Sequence, residues 1–354
     1  MTPGFPAVWL RHNCPCPDCR DSVTGQRLIE ITAIPNGVVA TVTAETPDAV
    51  EVTFTPGGHR AVFSRAWLAA PAEPDPRTED AKHLWRVADL PDLPAADWMA
   101  YLLDDTVRAH CLDAVARYGF VLLHGVPAVP GMVTCAAETA GYVRETNYGR
   151  VFDVRVEPDP DNLAFTSREI GPHTDNPYRD PVPTLQLLHC LRDAASGGET
   201  GLVDGFAAAA TLRREDPESF AVLSATPWPF GYRDGGTELR ACQPLIGLSP
   251  RGRIREVRFN NRSMLPPRLP SREAEAAYAA YRAWAELLAR PEFLLRVRLA
   301  PGDCLILDNT RVLHARTAFS AGGSGQRHLQ GCYADLDGLL STLAVLRRRA
   351  RARP

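Results

Sequence analysis

A histidine and an aspartate stand two positions apart in the stretch GPHTDNPY, at His173 and Asp175. Residues i and i+2 of a β-strand point to the same face, so both side chains can reach one metal ion. A third candidate ligand, His314, follows an apolar run in LILDNTRVLHAR. Two histidines and one carboxylate form the facial set of non-haem Fe(II) oxygenases, which leaves coordination positions open. The sequence therefore predicts an iron site at which a 2-oxoacid takes two open positions and O₂ the third.

A 2-oxoacid such as 2-oxoglutarate has a distal carboxylate that also needs a partner. Arg327 in GQRHLQGCYAD lies across the turn-forming stretch SAGGSG from His314, so a returning strand can carry it into the same site. Arg316, two residues after His314, is the competing candidate. Either guanidinium is suited to bidentate pairing with a carboxylate.

A second metal site is indicated by the spacing CxCxxC in WLRHNCPCPDCR. Its thiols are those of Cys14, Cys16 and Cys19. Tetrahedral zinc needs a fourth ligand, which a neutral imidazole can supply. The candidates are His59, His12 and His83, of which His59 is favoured because it follows a Gly-Gly turn in the same β-type segment. Four protein ligands leave no open position, so we expect a structural zinc site.

Composition places the chain among globular proteins. Its 354 residues and 45% hydrophobic content suffice for a well-buried core. A net charge of −3 and a pI near 6.3 give no general electrostatic reason to bind nucleic acid or an anionic membrane. No secretory signal or long apolar run is present, which favours a cytoplasmic protein. The nine cysteines then indicate one metal site plus buried free thiols, not a disulfide framework.

The elements that must position these residues follow from periodicity. Residues 1–70 contain the β-type runs RLIEITAI, VVATVTA and AVEVTF, typical of a small β-domain. Residues 71–95 begin with the Pro-rich PAEPDPRTED and are interpreted as a linker. Residues 96–354 show a helix up to Tyr118, a strand ending at His124, many β-type runs, an Ala-rich helix and a basic C-terminal helix. The predicted class is mainly β with helical insertions, in a barrel or jelly roll.

Several of these motifs, in this order, resemble the γ-butyrobetaine hydroxylase family, within the taurine dioxygenase-like Fe(II)/2-oxoglutarate dioxygenases. The matching stretches are AVWLRHNCPCPDC, HTD, QLLHC, GGETGLVDGF, FNN, DNTRVLHAR and RHLQGCYADLDGLLS. The resemblance implies a small N-terminal zinc-binding β-domain, a double-stranded β-helix and a homodimer. It implies oxidative decarboxylation of 2-oxoglutarate to succinate and CO₂, with hydroxylation of a substrate carbon by O₂.

Residue by residue, the resemblance assigns the iron, zinc and cosubstrate ligands already named, with His59 as the fourth zinc ligand and Arg327 as the cosubstrate anchor. It implies that aromatic side chains surround a trimethylammonium group, which cannot donate an N–H bond but is attracted to ring faces. The positions that match the substrate site are Tyr148, Phe152, Asn162, Phe165, Asn176, Asn260, Asn261, Arg262 and Tyr333. Asn176 stands where an aromatic can occur in the family.

The expected reaction is hydroxylation of a short trimethylammonium zwitterion, with γ-butyrobetaine, the precursor of carnitine, first. Arg262 adds a guanidinium beside the expected anion pocket, which makes 2-(trimethylammonio)ethylphosphonate an alternative, and trimethyllysine is another. A metal-binding barrel without catalysis predicts a broken triad or a missing anchor. An interaction protein built on the cysteine loop predicts a basic or apolar face around that loop. The sequence shows none of these features.

Overall fold

The computed structural model of the chain describes residues 4–70, 75–157, 163–194, 196–320 and 327–352. It divides into two compact units, Met1–Glu73 and Pro74–Pro354. Trp85, within the predicted linker 71–95, is buried in the core of the second unit. The latter part of that predicted linker therefore contributes to the packing of the second unit.

The first unit is built on a three-stranded antiparallel sheet in the order β1-β2-β3. Its elements are α1 (Ala7–His12), β1 (Val39–Glu45), β2 (Ala49–Thr55), β3 (His59–Ser64) and α2 (Arg65–Ala69). Alternate side chains of β2 and β3 are buried, among them Val52, Phe54 and Phe63, and they pack with Leu10 of α1. This alternation is the period of a half-buried strand.

The β-type run predicted at residues 27–34 is wrong. This segment contains a 3₁₀ turn, Ile31–Ala33, and Arg27 makes only an isolated bridge with Arg20. Leu28 and Ile31 are exposed, and the Leu28 amide donates to the Cys19 carbonyl. The segment is thus held by the cysteine loop, and its apolar alternation does not mark a buried sheet face.

The second unit contains both helices and strands. Its helices are α3 (Trp98–Leu103), α4 (Asp105–Tyr118), α5 (Met132–Ala140), α6 (Gly205–Glu215), α7 (Pro217–Ala225), α8 (Ser271–Leu288) and α9 (Leu336–Ala352). Its first strands are β4 (Ala95–Asp97), β5 (Phe120–His124), β6 (Val143–Arg144), β7 (Phe152–Arg155), β8 (Ile170–His173), β9 (Leu185–Arg192) and β10 (Thr200–Asp204). The remaining strands are β11 (Trp228–Arg233), β12 (Glu238–Gln243), β13 (Ile246–Leu248), β14 (Ile254–Val257), β15 (Leu295–Val297), β16 (Cys304–Asp308), β17 (Val312–Arg316) and β18 (His328–Ala334).

Two sheets carry the architecture of this unit. The larger has seven strands, in the order β4-β5-β16-β9-β18-β6 with β7 also paired to β18. The smaller has the order β15-β10-β17-β8. All of these pairs are antiparallel except β4 with β5. Two hairpins, β11-β12 and β13-β14, stand beside the sheets.

The two sheets face each other across a shared apolar core. Leu188 of β9 and Leu305 of β16 meet Leu202 of β10 and Val312 of β17 in this core. Side chains one position away on the larger sheet, such as Leu187, pack instead with α4, α5 and α9. Helices α6, α7 and α8 cover the smaller sheet. The inner strands β9, β10, β16 and β17 are therefore buried on both faces, and both sheets position the side chains between them.

The structure confirms several predicted elements. The helical segment expected up to Tyr118 is divided at Asp104 into α3 and α4, and the strand expected to end at His124 is β5. Asp104 accepts a hydrogen bond from the Thr106 amide at the start of α4, and Gly119 ends it with a positive φ of 89°. The Ala-rich and C-terminal helices are α8 and α9. Across the described residues, no helix is both long and apolar enough to span a membrane.

Candidate active site

The two histidines of the predicted triad are brought together by strand pairing. His173 ends β8, and it is the direct partner of His314 in the antiparallel pairing of β8 with β17. Their ring centroids are 4.1 Å apart. Partners across an antiparallel pair point to the same face, which explains why residues so distant in sequence meet here.

Asp175 reaches the same point by a different route from the one predicted. Strand β8 ends at His173, so Asp175 lies in the turn that follows and not on the strand. Asn309 supports its backbone by accepting from the Asp175 amide at 2.8 Å and donating to the Asp175 carbonyl at 3.0 Å. The next residue, Asn176, has a left-handed φ of 54°, which turns the chain sharply away.

The electrostatics of the triad favour metal binding. The Nδ1 atom of His173 lies 2.9 Å from the Gly171 carbonyl, so it carries the proton and leaves Nε2 free. Burial, and then the neighbouring His173, lowers the pKa of His314 to about 3, so this imidazole is neutral. Burial opposes ionisation of Asp175, but the two histidines and the Tyr333 hydroxyl hold the pKa of the carboxyl below its usual value.

The triad geometry fits one metal ion. Asp175 Oδ1 lies 3.5 Å from His173 Nε2 and 3.9 Å from His314 Nε2. Ligands about 2.1 Å from an ion and at right angles to each other are about 3 Å apart, slightly closer than these atoms. The donor set of two imidazoles and one carboxylate matches that of mononuclear non-haem Fe(II) sites.

The triad opens into a cavity of about 630 Å³ that also contains both candidate anchors for the cosubstrate. The guanidinium of Arg316 already donates to the carbonyls of Ala164 at 2.9 Å, Thr166 at 2.6 Å and Arg168 at 2.8 Å. Arg327 is 4% exposed, and its guanidinium has no hydrogen bond or ion pair with any other residue that the structure describes. Arg327 is thus the one whose charge is available to an anion.

The polar residues expected to bind the substrate do not all line the cavity. Arg262 and Asn260 line the cavity, but Asn260 already donates to the Thr174 carbonyl at 3.2 Å and accepts from the Arg262 amide at 3.1 Å. Asn261 is exposed, binds the Tyr281 hydroxyl and does not line the cavity, so its predicted contact with substrate is not supported. Asn162 lies outside the described residues.

The predicted aromatic residues do line the cavity. They are Tyr148, Phe152, Phe165 and Tyr333, and Asn176 lines it as well. The Phe152 ring stacks on Tyr333 at 4.9 Å and lies 6.2 Å from Tyr148. A Cβ atom at Gly331 would overlap Phe152, so this glycine makes room for the ring. Tyr333 in turn donates its hydroxyl to Asp175 Oδ2 at 2.9 Å, which joins these aromatic residues to the triad.

Among the cavity residues that sequence reasoning missed are Tyr178, Tyr232 and Gln186. Tyr178 and Tyr232 stack at 5.0 Å, and the Tyr148 hydroxyl lies 2.7 Å from that of Tyr178. Tyr178 occurs three residues after Asp175 in DNPY, a proximity that could have signalled it. Tyr232 comes from the hairpin β11-β12, and no sequence pattern connects that hairpin to the triad.

The first unit brings together the predicted cysteine ligands and one histidine. His59 Nε2 lies 3.2, 3.7 and 3.6 Å from the sulfurs of Cys14, Cys16 and Cys19 respectively. Sulfur and nitrogen ligands of one tetrahedral zinc are about 3.5 Å apart, so the four atoms fit such an ion. His12 and His83 are not part of this cluster. Burial, followed by the charge of Arg11, lowers the pKa of His59, which keeps the imidazole neutral for coordination.

Comparison with known sequences gives matches over nearly the whole chain. The family model "Taurine catabolism dioxygenase TauD, TfdA family" matches residues 79–333, and "Gamma-butyrobetaine hydroxylase-like, N-terminal" matches residues 2–69. A gamma-butyrobetaine dioxygenase of Pseudomonas sp. (strain AK-1) is 37% identical, over 97% of this chain and 91% of that protein. The human gamma-butyrobetaine dioxygenase is 30% identical, over 98% of this chain and 92% of that protein. A trimethyllysine dioxygenase of Meyerozyma guilliermondii is 30% identical, over 97% of this chain and 90% of that protein.

Solved structures share the fold at low sequence identity. A taurine dioxygenase from Burkholderia xenovorans superposes with a TM-score of 0.54 at 17% identity, over 71% of this chain and 89% of that chain. An asparagine oxygenase in complex with Fe(II), hydroxyasparagine and succinate superposes with a TM-score of 0.51 at 20% identity, over 66% of this chain and 80% of that chain. The sequence matches, the shared fold and the His-Asp-His triad agree: the chain belongs to the TauD/TfdA dioxygenase family and is a dioxygenase that uses Fe(II), 2-oxoglutarate and O₂.

Proposed function

We propose that this enzyme hydroxylates a short trimethylammonium zwitterion, and that γ-butyrobetaine, converted to carnitine, is its substrate. The observation that carries this proposal is a cavity lined by the triad, by six aromatic side chains and by two arginines, Arg262 and Arg327, without an anionic partner among the described residues. Such a cavity offers ring faces to a quaternary cation and a guanidinium to an anion. Curated relatives that match almost the whole chain act on γ-butyrobetaine and trimethyllysine, as their names state.

The iron ligands in this proposal are His173, Asp175 and His314. Bound Fe(II) supplies the redox chemistry that couples conversion of 2-oxoglutarate and O₂ into succinate and CO₂ with transfer of one oxygen atom to a substrate C–H bond. The chain's own contribution is positional. The β8–β17 pairing fixes both imidazoles, and Asn309 fixes the backbone of the aspartate.

Arg327 binds the distal carboxylate of 2-oxoglutarate in this proposal. Its buried guanidinium needs an anion, and Gly198, which has a φ of 75°, lies against its side chain without a Cβ atom in the way. Burial lowers the pKa of Arg327, although it remains a cation near neutral pH. Arg316 instead holds residues 163–168 through their carbonyls, which keeps Phe165 at the cavity wall.

The cationic end of the substrate lies against an aromatic wall, which is made of Tyr148, Phe152, Tyr178, Tyr232 and Tyr333. A trimethylammonium group has no N–H donor, so attraction to ring faces is its main specific interaction. The wall continues from Tyr333, next to Asp175, through Phe152 to Tyr148, and Tyr232 and Tyr178 complete it. Tyr178 and Tyr232 supply electron-rich rings that compensate for an asparagine at position 176.

Arg262 is the partner of the substrate's anionic end. Its side chain lines the cavity and makes no hydrogen bond or ion pair with the residues that the structure describes. A guanidinium binds a carboxylate or a phosphonate, and it favours the more highly charged group. Arg262 is therefore the observation that favours 2-(trimethylammonio)ethylphosphonate as a second candidate substrate. Trimethyllysine is the third candidate substrate, because one relative is named a trimethyllysine dioxygenase.

The first unit completes the proposal as a structural zinc domain. Cys14, Cys16, Cys19 and His59 bind the ion with no open position, and Arg11 donates to the Cys19 sulfur at 3.1 Å, which stabilises a thiolate. The second unit is a double-stranded β-helix made of its two facing sheets. The assembly proposed is a homodimer, which sedimentation at several protein concentrations would test.

The proposal is tested by anaerobic reconstitution with Fe(II) and 2-oxoglutarate, followed by O₂. Succinate release would be compared for γ-butyrobetaine, trimethyllysine, the trimethylammonium phosphonate and taurine. The expected result is stimulation by γ-butyrobetaine, with a product heavier by one oxygen atom. If no trimethylammonium compound stimulates turnover while Fe(II) and 2-oxoglutarate bind, the assignment of the aromatic wall is wrong.

Arg262→Ala separates the first two candidate substrates. Loss of a guanidinium partner should reduce turnover of the phosphonate more than that of γ-butyrobetaine. Arg233→Ala is the matched control, because Arg233 also lines the cavity but pairs with Glu238 at 2.6 Å. Equal losses for both substrates in Arg262→Ala would remove the reason to consider the phosphonate.

A further inference from the structure

The two oxygens of the Asp175 carboxylate have different surroundings. Oδ1 faces the Nε2 atoms of His173 and His314, whereas Oδ2 accepts from Gln186 Nε2 at 2.6 Å and from the Tyr333 hydroxyl at 2.9 Å. We propose that Gln186 and Tyr333 are positioning residues that occupy Oδ2, so that Asp175 binds iron through Oδ1 alone. This inference rests on the assignment of Asp175 as an iron ligand in the proposed function.

The direction of both hydrogen bonds is set by chemistry. An ionised carboxylate only accepts, so the Gln186 amide must present its NH₂ group and Tyr333 must donate its proton. Both donors are buried, Gln186 at 1% and Tyr333 at 4% exposure. Hydrogen bonds to a charged group are about twice as strong as neutral ones, and exclusion of water strengthens them further.

Strand pairing places the two donors side by side. Gln186 on β9 and Tyr333 on β18 are direct partners in the antiparallel pairing of these strands. Both strands lie inside the larger sheet, with β16 next to β9 on its other side. Tyr333 is also held by the Phe152 ring stacked on it. The pair is therefore preorganised before any metal binds.

The aspartate needs this support because it lies outside a strand. Asn309 holds its backbone, and its Nδ2 atom also donates to the Pro183 carbonyl at 2.9 Å. These bonds fix where Asp175 stands but leave rotation of its carboxylate free. Gln186 and Tyr333 determine which oxygen faces the imidazoles.

Whether Asp175 binds through one carboxylate oxygen or through both decides how many coordination positions of the ion remain. One carboxylate oxygen and two imidazoles leave three positions of an octahedral ion, enough for a bidentate 2-oxoacid and O₂. A carboxylate that bound through both oxygens would leave only two. Loss of the donors should therefore weaken iron binding and disturb chelation of 2-oxoglutarate as well.

The test uses the variants Gln186→Met and Tyr333→Phe, which remove the donors with little change of volume. Anaerobic Fe(II) titration should show affinities reduced about 10- to 100-fold, the usual effect of losing a group that orients a ligand. The visible charge-transfer band that forms when 2-oxoglutarate chelates Fe(II) should shift or weaken. Thermal unfolding of each variant checks that it is folded.

The matched control for glutamine is Gln330→Met. Gln330 is also buried and also donates its amide to a carboxylate, that of Asp153 at 3.0 Å, but it does not line the cavity. Tyr101→Phe is the control for tyrosine, since its buried hydroxyl binds Thr139. Both controls should keep the iron affinity and the absorption band of the unaltered protein.

Two outcomes overturn the inference. One is folded Gln186→Met and Tyr333→Phe proteins that bind Fe(II) and show the band as the unaltered protein does. The other is an equal loss in the controls, which would mean that any lost buried hydrogen bond loosens the site. Asp175→Ala separates this inference from the proposed function: if that variant binds Fe(II) at full affinity, the iron assignment itself is wrong.

Discussion

Replacement of Arg327 by methionine should weaken 2-oxoglutarate binding strongly without destabilising the protein. The guanidinium is buried and has no ion-pair partner among the described residues; the Phe319 ring and the more distant charge of Asp193 stabilise it, and a bound anion would add a direct partner. Truncation of one member of a buried charge pair costs about 2 to 5 kcal/mol. At about 1.4 kcal/mol per factor of ten, the Kd should rise roughly 30-fold to a few thousand-fold.

The assay is calorimetric titration of 2-oxoglutarate into the Fe(II) protein without oxygen. Arg316→Met is the comparison, because Arg316 lies in the same cavity but donates to the carbonyls of residues 164, 166 and 168. Its loss should lower the midpoint of thermal unfolding, since three half-buried hydrogen bonds to carbonyls are lost. Arg327→Met should leave that midpoint unchanged or raise it, since a buried charge without an ion-pair partner is removed.

The result that would refute this reasoning is the reverse pattern. If Arg316→Met abolished 2-oxoglutarate binding while Arg327→Met bound it within a small factor of the unaltered protein, Arg316 would be the anchor. The hydrogen bonds of Arg316 to the 163–168 segment would then have to break when the cosubstrate enters.

Three further predictions concern other parts of the molecule. Cys16→Ser should release zinc, measured by atomic absorption, and lower the unfolding midpoint of the first unit. Tyr232→Leu should raise the KM for a trimethylammonium substrate about 5- to 30-fold, from a lost cation–π interaction of about 1 to 2 kcal/mol. Burial lowers the pKa of His189, so the unfolded chain binds the extra proton below about pH 6.5, and stability should fall as the pH falls, by up to about 1.4 kcal/mol per pH unit. His189→Leu should show a shallower slope in denaturant titrations at pH 7 to 5.

Much of the fold could be predicted because local patterns carry it. Helix α4 has a capping aspartate before it and Gly119 after it, and α8 has a long Ala-rich repeat. The β-strand alternation of β2 and β3 matches their burial. The His-Asp-His triad was accessible too, since residue type and a preceding apolar strand identify His314.

What the sequence could not predict depends on contacts between distant elements. The strand rule placed Asp175 on β8, but the strand ends earlier, and the support of Asn309 is visible only in three dimensions. The run at 27–34 has β-type alternation but binds the cysteine loop. Tyr232 and Gln186 come from elements whose distance to the triad no local pattern encodes. Likewise, only geometry shows which arginine in the cavity already has partners.

The pairing of β8 with β17 links metal binding to the completion of folding. Strands far apart in sequence must close a long loop before His173 and His314 are partners, and such non-local pairings form slowly. A chain that has not made this pairing offers iron only isolated imidazoles. Fe(II) at 100 times its Kd for the native site would then favour the native state by up to about 2.7 kcal/mol, a figure that any binding to the unfolded chain reduces. Iron supply during synthesis is thereby expected to influence how much of the protein accumulates in native form.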